Sequence, residues 1–156
     1  MIEISIPGQP SLNLQYLVLD YNGTIAHNGE IIAGVKQCLI ELAEKLEVHV
    51  VTADTFGNAL TRLAKVPCNL HLLDNPDQDR QKLEYVKSLG SDITVCIGNG
   101  RNDCLMLKEA CLGIAVILGE GACSRALFDA DVVCTSIITA LELLLFPKRL
   151  QATLRN

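Results

Sequence analysis

From Leu14 to about Leu145 short apolar runs alternate with longer amphipathic segments, and this alternation constrains the chain more than any other feature. Strand-like runs fall at Leu14–Leu19, Glu47–Thr52, Asn69–Leu73, Ile93–Ile97, Ile114–Leu118 and Asp131–Cys134. Helical periodicity fits at Ile31–Leu46, where Val35, Leu39, Leu42, Ala43 and Leu46 share one face, and at Gly57–Ala64, Gln78–Leu89, Asp103–Ala110, Ala122–Phe128 and Ile137–Leu145. Buried strands alternating with helices predict an α/β fold, a doubly wound and mostly parallel sheet with helices on both faces. Ile2–Ile6 alternates apolar and polar residues before Pro7-Gly8, so residues 1–12 read as an extra edge strand or hairpin arm on a single domain spanning 1–156. That length matches the roughly 150 residues of one domain.

Composition narrows the function. Hydrophobic residues make up 49% of the chain and aromatics only 4%, and 13 basic against 18 acidic residues leave a formal charge of −5. So few rings and so little positive charge argue against a nucleic-acid partner. No apolar run reaches the roughly 18 residues of a membrane span, and MIEISIPGQP lacks the basic and apolar parts of a signal peptide. Seven singly spaced cysteines, without a CxxC pair, read as small core residues in a reducing compartment. The expectation is a cytoplasmic protein without a membrane segment.

In parallel sheets ligands gather beyond the carboxyl ends of strands. The first strand delivers Asp20-Tyr21-Asn22-Gly23-Thr24, a carboxylate followed by a tight turn and a hydroxyl. The second delivers Thr52-Ala53-Asp54, a hydroxyl and amides suited to an anion. Lys82 stands early in a helix, and Ile93–Ile97 leads into Gly98-Asn99-Gly100-Arg101-Asn102-Asp103. Taken singly, Asp20 or Asp54 is more often a turn or cap residue, Thr52 a cap, Lys82 a solvated charge and GNGRND a turn. Together they suit magnesium-assisted phosphoryl transfer. His27, His49 and His71 lack metal-ligand spacing, and Gly119-Glu120-Gly121, without a third glycine, reads as a turn at the rim of the site.

This order of motifs resembles the haloacid dehalogenase (HAD) superfamily, whose DxDGT strand end, Thr or Ser, Lys and GDGxND-type turn correspond to D20-Y-N-G-T24, Thr52, Lys82 and G98-N-G-R-N-D103. Within it the likeness is strongest to the phosphorylation domain of P-type ATPases, through VVTADTFGNA, GNGRNDCLMLKEACLGIAV and DADVVCTS, and it covers about Tyr16 to Asn156. The resemblance implies an aspartyl-phosphate on Asp20, with Asn22, Thr52 and Lys82 at the reacting centre. It implies phosphate contacts from Asp20, Gly23, Thr24, Thr52, Ala53, Lys82 and Asn102, and Mg2+ held by Asp20, the main-chain carbonyl of Asn22, Asn99 and Asp103.

Two positions depart from the family pattern. Asn22 replaces the usual general acid and base, and Asn99 replaces a usual metal ligand. An amide has no proton to exchange near neutral pH, so turnover should drop by about 10² to 10⁴-fold. P-type ATPases also lack that second Asp and keep a lasting phosphoenzyme. The 31 residues between Asp20 and Thr52 and the 29 between Thr52 and Lys82 leave no room for a cap domain. An open site implies either a large phosphorylated substrate or cover from a second copy in a homo-oligomer. The expected activity is a slow Mg2+-dependent phosphohydrolase or phosphotransferase. The alternative is a non-catalytic HAD-fold domain binding phosphate, metal or a protein partner; a receiver-like domain fits the turns less well.

Overall fold

The structure is a computed structural model that describes residues 1–54 and 57–156. In chain order its elements are β1 (Ile2–Ile4), β2 (Leu12–Leu14), β3 (Tyr16–Leu19), β4 (Ala26–His27), β5 (Glu30–Ile31), α1 (Val35–Ala43), β6 (Glu47–Thr52), α2 (Ala59–Leu63), β7 (Asn69–Leu72) and α3 (Gln78–Leu89). Then follow β8 (Thr94–Gly98), a 3-10 turn at Arg101–Asp103, α4 (Cys104–Glu109), β9 (Leu112–Val116), α5 (Ser124–Asp129), β10 (Val132–Cys134), α6 (Ile137–Leu145) and α7 (Pro147–Leu154).

Six strands form one sheet in the order β10-β9-β8-β3-β6-β7, every neighbouring pair parallel. Both faces are covered, which is why the central strands are apolar without alternation. Successive side chains still point to opposite faces. Leu17 and Leu19 of β3 pack with Leu39 of α1, Leu141 of α6 and Leu150 of α7 in one core, while Val18 joins Val86 of α3, Met106 of α4 and Ala126 of α5 in the other. The first strand of the sheet, β3, lies between β6 and β8, so the order reverses at β3. The carboxyl ends of these three strands form the crevice where such sheets receive ligands.

Several boundaries differ from those read in the sequence. The run Leu14–Leu19 divides at Gln15: Leu12–Leu14 pairs antiparallel with Ile2–Ile4 in a separate two-stranded sheet, and Tyr16–Leu19 enters the main sheet. Gln15 donates its N–H to the Ile93 carbonyl and accepts from Glu47 N–H, so the main-sheet pairing continues across the break. The segment beginning at Ile31 does not start as helix. Glu30–Ile31 pairs with Ala26–His27 as a hairpin, and α1 begins only after Gly34, whose φ of 88° takes the chain out of the hairpin. Helix α7 has no counterpart among the predicted segments, because Leu150 is its only fully buried residue. Thr55 and Phe56, within the quoted VVTADTFGNA stretch, lie outside the described residues.

Candidate active site

Asp20 is held at the end of β3 by its N–H, which donates to the Ile97 carbonyl of β8 at 3.0 Å. The chain then reverses about the Tyr21 carbonyl, which accepts from the N–H groups of Thr24, Ile25 and Ala26. Gly23 sits at φ 83°, and a Cβ there would lie 2.5 Å from Asn99 Nδ2, so both conformation and space demand glycine. This reversal returns Thr24 over the carboxylate, where its hydroxyl donates to Asp20 Oδ2 at 3.1 Å and contacts Asn99 Oδ1 at 3.3 Å.

Lys82 reaches the same carboxylate from α3. Its ammonium donates to Asp20 Oδ1 and to Asp103 Oδ1, each at 2.6 Å, and the side chain is 1% exposed. The other oxygen of Asp103 accepts from Asn99 N–H at 3.0 Å and Gly100 N–H at 2.8 Å. A Cβ at residue 98 would lie 2.6 Å from Asp103 Cγ, so Gly98 allows the carboxylate to fold back onto its own turn. Two buried carboxylates share one ammonium, a local charge of −1. Burial foremost, then the Asp103 charge, raises the Asp20 pKa to about 6 against the opposing pull of Lys82 and Thr24. Burial by itself would depress Lys82, but Asp103 and Asp20 outweigh it and hold the ammonium charged above its ordinary range.

A cleft of about 220 Å³ opens above this group. Asp20, Asn22, Thr52, Ala53, Asn99 and Asn102 of the expected set line it, with Gln78, Gly100 and Glu120. Lys82 and Asp103 lie beneath, and Gly23 and Thr24 behind the carboxylate. The Gly23 N–H is committed to the Ala26 carbonyl at 2.8 Å and is not turned to an anion, and Asp103, wholly buried and outside the cleft lining, turns one oxygen to Lys82 and the other to its own turn. Thr52 Oγ1 accepts from Asp54 N–H at 3.0 Å, which leaves its proton for a bound anion. Asp54 caps α2 by accepting from Asn58 and Ala59 N–H groups. Gln78, four residues before Lys82 on the same face of α3, lines the cleft without belonging to any of the sequence motifs. Its Oε1 accepts from Asn102 Nδ2 at 3.0 Å, which joins the two walls of the cleft.

Among the described residues no group of three or more His, Cys, Asp or Glu side chains is arranged to hold a metal. The oxygens around Asp20 nevertheless suit a hard cation. Asn22 Oδ1 is shielded from solvent without a hydrogen-bond partner, and Asn99 Oδ1 and Asp20 Oδ2 converge on the Thr24 hydroxyl. Magnesium commonly takes one or two carboxylates and completes its shell with water and substrate phosphate. One carboxylate with two amide oxygens fits it, with less charge than a site built of acids.

No protein-family signature matches the sequence. The chain is 52% identical over 62 residues to the uncharacterized protein MJ0073 of Methanocaldococcus jannaschii, covering 40% of this chain and 67% of that one, and 49% identical over 39 residues to MJ0072 of the same organism, covering 25% and 89%. It belongs to the family of these two proteins. Among solved structures, the 3-deoxy-D-manno-octulosonate 8-phosphate phosphatase of Moraxella catarrhalis, crystallised with magnesium, phosphate and KDO, superposes with a TM-score of 0.71 at 16% identity, over 91% of this chain and 94% of that one. A Legionella pneumophila protein described within HAD subfamily III A superposes at 0.68 and 16% identity, over 90% and 87%. The chain has the HAD fold. A zinc-transporting P-type ATPase shares this fold over 79% of the chain but only 20% of its own length, at 24% identity and a TM-score of 0.62. In this HAD fold the switch point between β3 and β8 is where Asp20 meets Lys82 and Asp103. No helix among the described residues is long and apolar enough to cross a membrane.

Proposed function

We propose that the protein is a magnesium-dependent phosphohydrolase or phosphotransferase that acts through an aspartyl-phosphate on Asp20. The observation that carries this reading is the buried Asp20–Lys82–Asp103 group opening into a cleft beside Thr52. Lys82 on Oδ1 and Thr24 on Oδ2 fix the plane of the Asp20 carboxylate, so its remaining lone pairs face a bound phosphoryl group in one orientation. An Asp20 oxygen attacks phosphorus and the bond to the leaving oxygen breaks. The Thr52 hydroxyl and the Asn102 amide donate to the phosphoryl oxygens, and Lys82 offsets their charge. Asp20, Asn22 and Asn99 would hold magnesium, which would neutralise charge at the phosphoryl group when bound.

Asn22 neither protonates the leaving oxygen nor deprotonates the water that would release the phosphate. The first step therefore favours substrates with good leaving groups, and the phosphoenzyme is long-lived. Incubation with an aryl phosphate and magnesium, acid quench and peptide mapping should place a hydroxylamine-labile phosphate on Asp20, absent from Asp20→Asn. Turnover without label at Asp20 would sink the mechanism. Asn22 and Asn99 favour a second reading, a non-catalytic domain that binds phosphate, an ion or a protein partner. An Asn22→Asp, Asn99→Asp double variant as silent as the wild type with every divalent metal would support it.

The physiological substrate is phosphorylated. With no cap over the cleft among the described residues, a second copy of the chain is the proposed cover, a role consistent with the exposure of Phe128 and Leu60. A single species of about 16.9 kDa in sedimentation at micromolar concentration would refute self-association.

A further inference from the structure

Beside the cleft lies a second cavity, of about 310 Å³, lined by Asp79, Arg101, Cys104, Leu105, Cys123 and Arg125. Its two thiols, 19 positions apart in sequence, come from the residue after Asp103 and the residue before α5. Both face this one cavity, and Cys104 Sγ also contacts the Gly100 carbonyl at 3.8 Å. The two segments are already joined: Cys123 N–H donates to the Asn99 carbonyl at 2.8 Å, and Asn99 Nδ2 donates to the Gly121 carbonyl at 3.0 Å. Cys123 is partly exposed while Cys104 is nearly buried behind it, so an oxidant entering from solvent meets Cys123 first. By contrast, Cys96, which lies near Cys111, is fully buried.

We propose that Cys104 and Cys123 form a modification site, a reversible disulfide made with a peroxide as oxidant, which ties the start of α4 to the start of α5. The Cys123 sulfur attacks a peroxide oxygen, the O–O bond breaks, and a sulfenic acid and water result. The Cys104 sulfur then attacks the Cys123 sulfur and expels the second water. Two thiols give up two electrons and two hydrogens, and one hydrogen peroxide becomes two waters. The backbone N–H of Arg125 and the Arg101 charge favour the anionic form of the attacking Cys123 sulfur, whereas burial disfavours it at Cys104. Bridging draws Cys104 from the Gly100 carbonyl, in the turn whose amides hold Asp103, and so disturbs the seat of Lys82. The consequence for turnover rests on the phosphohydrolase reading; the disulfide itself does not.

The test uses the full chain, reduced, desalted and exposed to a few equivalents of hydrogen peroxide. Thiol titration after denaturation should show two of the seven thiols lost, a non-reducing peptide map should join Cys104 to Cys123, and dithiothreitol should restore both. Cys123→Ser should keep all its remaining thiols under the same exposure. A link between other cysteines, loss without a link, or no loss would overturn the proposal. Aryl phosphate hydrolysis by the bridged wild type should fall severalfold and recover on reduction, and unchanged turnover would overturn the regulatory part. Inactivity in both redox states would tell against the phosphohydrolase reading alone, because the thiol count and the map require no turnover.

Discussion

Asn99 accepts a hydrogen bond from the Thr24 hydroxyl through its side-chain oxygen, at 3.3 Å, while its nitrogen is held by the Gly121 carbonyl. The amide oxygen is thereby turned toward the Asp20 carboxylate, as a metal ligand would be, but without a negative charge.

Asn99→Asp should lower the magnesium concentration at half-maximal activity. A unit charge about 4 Å from an ion is worth roughly 4 kcal/mol at an effective dielectric of 20. After desolvation and loss of the bond to Gly121, a ~10-fold shift, about 1.4 kcal/mol, is expected. Magnesium titration of aryl phosphate hydrolysis, or calorimetry, measures it; an unmoved midpoint would remove Asn99 from the metal site.

Asn22→Asp should raise kcat instead. The new carboxyl would occupy a shielded position where Asn22 Oδ1 now lacks a partner, and burial would keep part of it protonated and able to donate to the leaving oxygen. The expected gain lies within about 10² to 10⁴-fold. It should be largest for poor leaving groups and nearly absent for the best ones, a contrast readable from a series of substituted aryl phosphates.

The raised pKa of Asp20 predicts an acid limb in the rate. Below about 6 the carboxyl carries a proton and cannot attack phosphorus; above it the anion is available. At magnesium well below saturation, kcat/KM, which reports the free enzyme, should rise with pH through that value and then level, and saturating magnesium should move the limb to lower pH. A flat profile from pH 4.5 to 8 at limiting magnesium would contradict Asp20 as the nucleophile.

Removing Lys82 should be among the costliest changes in the protein. Lys82→Met leaves Asp20 and Asp103 buried with no shared cation, and breaking a buried pair in this way typically costs roughly 3–5 kcal/mol. Urea denaturation at neutral pH measures the loss. It should shrink as pH falls, because protonation of Asp20 removes the repulsion.

His49 supplies a pH dependence of opposite origin. It is buried on β6, its Nδ1 2.9 Å from Tyr85 Oη and its Nε2 facing Glu47, with the rings of Tyr16 and Tyr85 edge-on to it. Burial lowers its pKa despite the pull of Glu47. The folded state therefore keeps the ring neutral while the unfolded chain protonates it, and this contribution to stability is present above about 6.5 and lost as pH falls below it. In His49→Gln the loss of Tm on acidification should be smaller than in the wild type.

The strand ends were legible because buried parallel strands leave long apolar runs, and polar residues directly after such runs are conspicuous. Asp20, Thr52 and Asn99 announced themselves in this way, and α3 showed clearly because its segment is long and well bounded. Gln78 stayed hidden because a glutamine at the first turn of a helix carries no pattern of its own; only the position of Lys82 reveals its face. The β4–β5 hairpin was hidden for a different reason. Its strands hold two residues each, too few to show any period, and the apolar residues that follow merge with those of α1. The committed oxygens of Asp103 and the spent N–H of Gly23 are properties of three-dimensional pairing, which residue spacing does not contain.

The reversal of strand order at β3 also sets a timetable. As the polypeptide is synthesised, the strand bearing Asp20 emerges first among the six, yet both of its partners come later, β6 ending at Thr52 and β8 at Gly98. Until β6 pairs with it the central strand has two open edges and until β8 follows it keeps one, while the second carboxylate that completes its surroundings does not yet exist. Closing such distant pairings slows folding and prolongs exposure of that strand to other chains. A ribosome-bound chain halted soon after β6 should remain accessible to proteases around Leu17–Leu19, and protection should appear once β8 has cleared the exit tunnel.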